Sequence, residues 1–190
     1  MGFYGVVDER MDLELLDAIA AGNPEVSFVV IGPVVKISED DLPKHDNLYY
    51  LGSKDYQDLP AYLKGFDIAM MPFALNEATE FISPTKTLEF MAAKKPIIST
   101  PVRDVAEIYP NEVSIPKTAG EFSTAINTYL HESTTARRKR EVLQLQVIEK
   151  TSWDNTVRQM SKLMKLEASD RRAHTPAPAI LHAPALSYSI

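Results

Sequence analysis

Lys86 and Glu89 stand one helical turn apart near the start of the segment S-P-T-K-T-L-E-F-M-A-A-K-K-P-I-I-S-T-P (83–101). Ser83 is a good N-cap, since its hydroxyl can accept from a backbone N–H one turn in, and Pro84 at the first helical position wastes no N–H. The amides of Thr85 and Lys86 then open at the positive end of a helix, and Lys86 adds a full charge there. Such an end attracts anions, phosphate above all. Helical spacing sets Thr85, Lys86 and Glu89 on one face, while Leu88, Met91 and Ala92 fall on another that packs on a sheet. The chemistry this predicts is a phosphate clamp, with a carboxylate one turn further in that accepts from sugar hydroxyls. The same residues also suit an ordinary capped helix with a Lys86–Glu89 surface pair, and the segment alone leaves both readings open.

Other chemistries are missing their residues. The seven glycines are scattered, and G-x-G-x-x-G, G-x-x-x-x-G-K-[ST] and G-x-S-x-G do not occur. Dinucleotide, P-loop and nucleophile-elbow fingerprints are therefore absent. His45, His131, His174 and His182 show no ligand spacing and the chain has no cysteine, so no metal site and no thiolate chemistry is expected. Asp8-Glu9 after the first strand suggests an acidic phosphate-receiver pair. The partner positions of that pattern hold Gly52-Ser53 and Ser99-Thr100 instead of an aspartate and a lysine.

The elements that must position Lys86 and Glu89 alternate. Apolar runs over 2–7, 26–31, 48–51, 68–72, 96–100 and 113–115 read as strands, and periodic runs over 11–21, 56–64, 102–109, 120–130, 135–150 and 153–166 as helices. Alternation of this kind predicts an α/β domain, a doubly wound parallel sheet of Rossmann type with about six strands and added C-terminal helices. In such a sheet the loop over 5–10, the Gly32-Pro33 turn, the Gly52 turn and the start of the 83–94 helix all open on the carboxyl edge of the strands, where ligands bind.

Composition sets the outer bounds. With 45% hydrophobic and 24% charged residues the chain reads as a soluble globular protein, and a net charge of −6 argues against nucleic acid as a partner. No apolar run reaches the roughly 20 residues of a membrane helix. The first residues do not read as a signal peptide, and the lack of cysteine permits a cytosolic setting. The expected domain covers 1–168. Residues 169–190, with Pro176, Pro178 and Pro184, read as a disordered tail. The basic run 137–140 is expected to be a solvated helix face, and Trp153 to anchor the last helix by packing.

Six blocks in order carry a resemblance: G-F-Y-G-V-V-D-E-R-M-D-L-E-L-L (2–16), Tyr50-Leu51-Gly52, L-P-A-Y-L-K-G-F-D-I-A-M-M-P-F (59–73), the 83–100 segment, V-R-D-V-A-E-I (102–108) and S-W-D-N-T-V (152–157). Together they resemble the C-terminal, nucleotide-sugar-binding half of a two-domain glycosyltransferase of the GT-B fold. The group is the family-4 type (glycosyl transferases group 1), which builds bacterial polysaccharides. The resemblance implies a hexose-type sugar moved from a UDP- or GDP-sugar donor to a polysaccharide or lipid-linked acceptor. It implies no metal and no cofactor besides that donor.

Residue by residue, it implies that Arg10, Ser83, Thr85 and Lys86 hold the donor phosphates. Glu89 would bind the ribose, Leu51, Gly52 and Ser53 would support the base, and the 73–82 loop with Asn76, Glu77 and Phe81 would face the donor sugar. Arg10 suits equally a plain pair with Asp8 or Glu9. Many relatives carry E-x-x-x-x-x-x-x-E ending at the ribose glutamate; here the first position is Phe81, with Glu80 one place off, and no catalytic base can be named. The implied setting is cytoplasmic, at the inner membrane surface, with the basic run as a peripheral contact. The N-terminal acceptor half is missing from this chain, so the expectation is weak donor binding and no transfer by the chain alone. Two rivals are a non-catalytic Rossmann-like assembly module and one half of a GT-B nucleotide-sugar epimerase.

Overall fold

The computed structural model describes residues 1–174, with side chains through residue 167. Five strands are present: β1 (Gly2–Tyr4), β2 (Phe28–Ile31), β3 (Leu48–Tyr50), β4 (Ala69–Met71) and β5 (Ile97–Ser99). They form one all-parallel sheet in the order β3-β2-β1-β4-β5. Phe3 pairs with Val30, Val29 with Tyr49 and Met70 with Ile98. The helices are α1 (Leu13–Gly22), α2 (Leu59–Gly65), α3 (Lys86–Ala92), α4 (Arg103–Ile108), α5 (Ala119–Leu130), α6 (Thr134–Lys150) and α7 (Trp153–His174). Right-handed crossovers demand helices on both faces of a parallel sheet, and each face buries its own core. Phe3, Leu16, Ile19, Phe28, Met70 and Phe122 fill one. Tyr4, Ile31, Met71, Phe90, Met91 and Val105 fill the other.

The expected sixth strand over 113–115 shrinks to a single parallel bridge between Ile98 and Ser114. Ser99 N donates to Ser114 O and Ser114 N to Ile97 O, each at 2.9 Å. A turn ahead of it and Pro116 behind it, which has no N–H to give, stop the ladder there.

The reversal of strand order falls between β1 and β4, so the loops after these two strands part on opposite faces and leave a crevice. Asp12 caps α1 by accepting from Leu15 N at 2.8 Å, which fixes where the β1 loop ends. Across the crevice, Ala74 N donates to Arg10 O at 2.8 Å and Asn76 Nδ2 to Glu9 O at 3.0 Å. The two loops are thereby tied together.

The basic run is not one solvated face. Arg140 is 8% exposed. It donates from Nε and Nη2 to Glu132 at 3.0 and 2.8 Å and from Nη1 to Lys94 O at 3.0 Å. Gln144 Nε2 adds a bond to Lys95 O at 2.8 Å. These bonds clamp the turn after α3 to α6.

The chain divides into two compact units, Met1–Glu149 and Lys150–Ile190. The first holds the sheet and α1 to α5 with nearly all of α6. The second holds α7, capped by Ser152 Oγ accepting from Asn155 N at 3.2 Å. Trp153 is 83% exposed and is not the buried anchor expected of it. Helix α7 continues past residue 168 to His174, and the rest of the expected tail, 175–190, lies outside the described residues. Among the described residues no helix is long and apolar enough to cross a membrane.

Candidate functional site

The carboxyl ends of β1, β2 and β3 each turn on a glycine. Gly5 N donates to Ile31 O at 2.8 Å and Gly32 N to Gly52 O at 2.9 Å. Gly5 and Gly32 have φ of 149° and 147°, which side-chain-bearing residues rarely adopt. A Cβ on Gly32 would lie 1.8 Å from Gly5 O. A Cβ on Gly5 would lie 2.6 Å from Lys86 Cε and 3.1 Å from its Nζ. The edge of the sheet is therefore a bare backbone floor, and the Lys86 side chain crosses it at Gly5.

Helix α3 begins later than the sequence suggests. Its first residue is Lys86, and Ser83 does not cap it. Thr85 precedes it with φ −59° and ψ −26°, already helical, and makes no side-chain cap bond. The first turn is closed instead by Thr87 N to Pro84 O and Leu88 N to Thr85 O, both at 3.1 Å. A side-chain N-cap needs extended backbone to reach back, and Pro84 and Thr85 are wound into the turn.

Lys86 and Glu89 face a cleft of about 260 Å³ beyond β1 and β2, with Tyr4, Gly5, Gly32, Ser53, Lys54 and Tyr56 among its other walls. A second cavity of about 420 Å³ shares Val6 and Lys86 with the first and holds Arg10, Ser83 and Thr85. Lys86 stands between the two. Burial pulls its ammonium below the ordinary lysine value, with Glu89 opposing that shift and Arg10 adding to it. Lys86 makes no ion pair among the described residues, so the plain Lys86–Glu89 surface pair is not formed. Glu89 instead accepts a hydrogen bond from the Tyr4 hydroxyl through Oε2. Burial first, and that contact second, push the Tyr4 phenol well above its usual value.

Arg10 makes the plain pair with Asp8. Its Nε donates to both oxygens of Asp8 at 3.0 Å and Nη2 to Oδ2 at 2.6 Å, while the residue still lines the second cavity. Asp8, 2% exposed, has its carboxyl held below the usual range chiefly by the Arg10 hydrogen bonds. Neighbouring Glu9 pairs with Lys36 at 2.6 Å. Of the three residues expected to support a base, Ser53 lines the first cleft. Leu51 and Gly52 lie outside its walls, Gly52 serving through its carbonyl to Gly32.

Asn76, Glu77 and Phe81 line neither cavity, although Phe73 and Ile82 at the ends of their loop line the second. Asn76 lines a separate recess with Glu80 and Arg103 and stiffens the loop, its Oδ1 accepting from Ala78 N at 3.0 Å. Glu77 is exposed, and Phe81 is 77% exposed. Sequence reasoning missed Tyr4 and Tyr56. A tyrosine closing a buried strand was the available signal for Tyr4, because such a ring needs a partner for its hydroxyl. Among the described residues no group of three or more histidine, aspartate or glutamate side chains could hold a metal ion.

Comparison with known proteins adds the family. The family model described as glycosyl transferases group 1 matches residues 11–132. TuaH of Bacillus subtilis (strain 168), assigned to teichuronic acid biosynthesis as a glycosyltransferase, is 28% identical over 103 residues, 53% of this chain and 26% of its own. Among solved structures, Anabaena HepE in complex with UDP-glucose superposes with a TM-score of 0.68 at 16% identity, over 86% of this chain and 48% of that one. The C-terminal domain of LpcC, a glycosyl transferase group 1 family protein of Francisella tularensis, superposes with a TM-score of 0.57 at 16% identity, over 79% of this chain and 85% of that domain. The chain thus spans about half of the HepE structure and about a quarter of TuaH. The solved structures share its doubly wound sheet.

Proposed function

The chain belongs to the glycosyl transferases group 1 family, and on that premise we propose that Met1–Glu149 is the donor half of a sugar-transfer site. It binds a nucleoside diphosphate sugar in the cleft between the glycine floor and α3. The observation that carries this reading is the convergence of Lys86 and Glu89, unpaired with each other, over Gly5 and Gly32.

Each group has a fitting task. The Lys86 ammonium reaches the cleft and the second cavity alike, as a group bridging two phosphates must. Arg10, steadied by Asp8, adds a second cation on the far side. Glu89 keeps Oε1 for a ribose hydroxyl, and Ser53 meets the base end. The bare floor lets the diphosphate approach backbone closely. When the sugar departs, charge builds on the diphosphate leaving group, and preorganised cations stabilise it without reorganising. Ser83 and Thr85 line the cavity where the sugar would lie.

The HepE structures with UDP-glucose and with UDP support a uridine donor, and guanosine is the alternative. A hexose-type sugar passes to a polysaccharide or lipid-linked acceptor held by a separate acceptor domain at the cytoplasmic membrane surface, where 137–139 supply exposed positive charge. Transfer needs both substrates in register, so these 190 residues alone bind donor and do not turn it over.

Calorimetric titration with UDP and GDP tests this. One nucleotide should bind, and Lys86→Ala and Glu89→Ala should each weaken it about tenfold or more, the scale of a lost charge-assisted hydrogen bond. Failure of both nucleotides to bind, or unchanged affinity in both variants, would replace the donor reading with an assembly module.

A further inference from the structure

Tyr4 closes β1, packs in the apolar core and lines the cleft. The residue is 5% exposed, and its ring meets Phe90 edge to face with centroids 5.2 Å apart at 83°. Phe90 follows Glu89 on α3, so the packing that fixes the ring also fixes its distance from the carboxylate. Lys86 and Glu89 have a spacing at which helical side chains pair readily. They do not pair here, and the bond that Glu89 makes is to Tyr4, 85 residues away in the chain. Oε1 of Glu89 has no hydrogen-bond partner among the described residues. A buried tyrosine needs an acceptor somewhere. This one takes its acceptor from the side chain whose direction decides what the cleft can bind.

We infer that Tyr4 is a positioning residue: its hydroxyl ties Glu89 Oε2 to the end of β1, keeps the carboxylate off Lys86, and aims Oε1 at a ribose hydroxyl of the nucleotide. This rests on the nucleoside diphosphate reading given above. Without the hydroxyl, Glu89 swings to Lys86. Two losses follow together: the carboxylate no longer reads the ribose, and the ammonium is partly neutralised before the diphosphate arrives. Tyr4 therefore sets preference for a ribonucleotide over a nucleotide lacking the ribose hydroxyls, although it touches neither.

The test compares UDP and GDP with their 2′,3′-dideoxy forms on the wild type, Tyr4→Phe, Glu89→Gln and the double variant. Tyr4→Phe keeps the ring and its packing, and thermal melting checks that it folds. The wild type should prefer the ribose form, and Tyr4→Phe should lower that preference about tenfold. In the Glu89→Gln background the same substitution should change the preference little, because the two residues act through one bond. A ribose preference that survives Tyr4→Phe intact overturns the inference while leaving the nucleotide site standing. Equal weakening of ribose and dideoxy forms by Tyr4→Phe also overturns it, since a merely structural role would do that. A wild type that binds both forms alike overturns the ribose role of Glu89 itself, and the inference with it.

Discussion

Gly5→Ala and Gly32→Ala add the same methyl group at nearly the same φ, 149° and 147°. Their neighbours differ. At Gly5 the methyl meets Lys86 Cε at 2.6 Å and Nζ at 3.1 Å, the far end of a flexible chain, besides Phe3 Cζ at 3.0 Å. At Gly32 it meets backbone, Gly5 O at 1.8 Å and Gly5 C at 2.7 Å, which move only if β1 and β2 part. Both variants carry the strain of a side chain in this backbone region, about 1–3 kcal/mol. Gly32→Ala must in addition loosen the bonds from Gly5 N to Ile31 O at 2.8 Å and from Gly32 N to Gly52 O at 2.9 Å. At a net of about 1 kcal/mol each, its cost reaches about 3–5 kcal/mol in all. At about 2–4 °C per kcal/mol for a chain of this size, its melting temperature should fall by about 6–20 °C.

Gly5→Ala should lose only the strain, while its methyl pushes the Lys86 ammonium off the floor. Forfeiting that charge-assisted contact, worth about 1.5–3 kcal/mol, should weaken nucleotide binding about 10- to 100-fold. Thermal melting and calorimetry on both variants separate the effects. Wild-type affinity in Gly5→Ala would refute the idea that the floor places Lys86, and a wild-type melting temperature in Gly32→Ala would refute the tight backbone approach of Gly32 to Gly5.

Two further outcomes follow from buried charge. Arg140→Ala leaves Glu132 without its fork and Lys94 O without a donor; breaking a buried pair costs about 3–5 kcal/mol, and Arg140→Lys should not restore it, because lysine cannot supply the fork. Thermal melting reads both. Lys86 has a folded-state value below its unfolded one, so between the two the unfolded chain binds more protons and stability rises with pH. Over the same window nucleotide affinity should fall as the ammonium is lost, at lower pH than for a solvent-exposed lysine, and Lys86→Arg should move that fall to higher pH.

The sequence makes the local parts of this site readable and hides the distant ones. Alternating strands and helices imply the parallel sheet, and helical spacing alone sets Lys86 and Glu89 side by side. The three glycine turns fall on one edge because every strand of such a sheet points the same way. The start of α3 is misread, because Ser83-Pro84 has the composition of a cap while Pro84 and Thr85 are already wound into the first turn with no side-chain cap. Arg140 hides among exposed Arg137, Arg138 and Lys139; which of four adjacent cations is buried depends on the turn at Lys94, which residues 137–140 do not encode. The Tyr4–Glu89 bond joins two elements that only the strand order brings together, beyond any spacing rule.

What those distant contacts do for the site can be argued from charge. Opposite unit charges 4 Å apart attract by about 4 kcal/mol at an effective dielectric of 20, before desolvation and side-chain ordering are subtracted. If Lys86 and Glu89 closed on each other, a nucleotide would have to break their pair before binding, and much of its binding energy would go to that. The fold prevents the closure from both sides: Gly5 gives the Lys86 chain a bare path along the sheet edge, and Tyr4 draws Glu89 toward β1. On the proposed reading the cost is met at folding, in a turn that only glycine adopts readily and in a buried phenol, so an incoming diphosphate and ribose would find the two charges already apart. Both devices are adjacent residues at the carboxyl end of β1, Tyr4 closing the strand and Gly5 following it, which is why the charge-bearing helix, read by itself, could not be told from an ordinary surface helix.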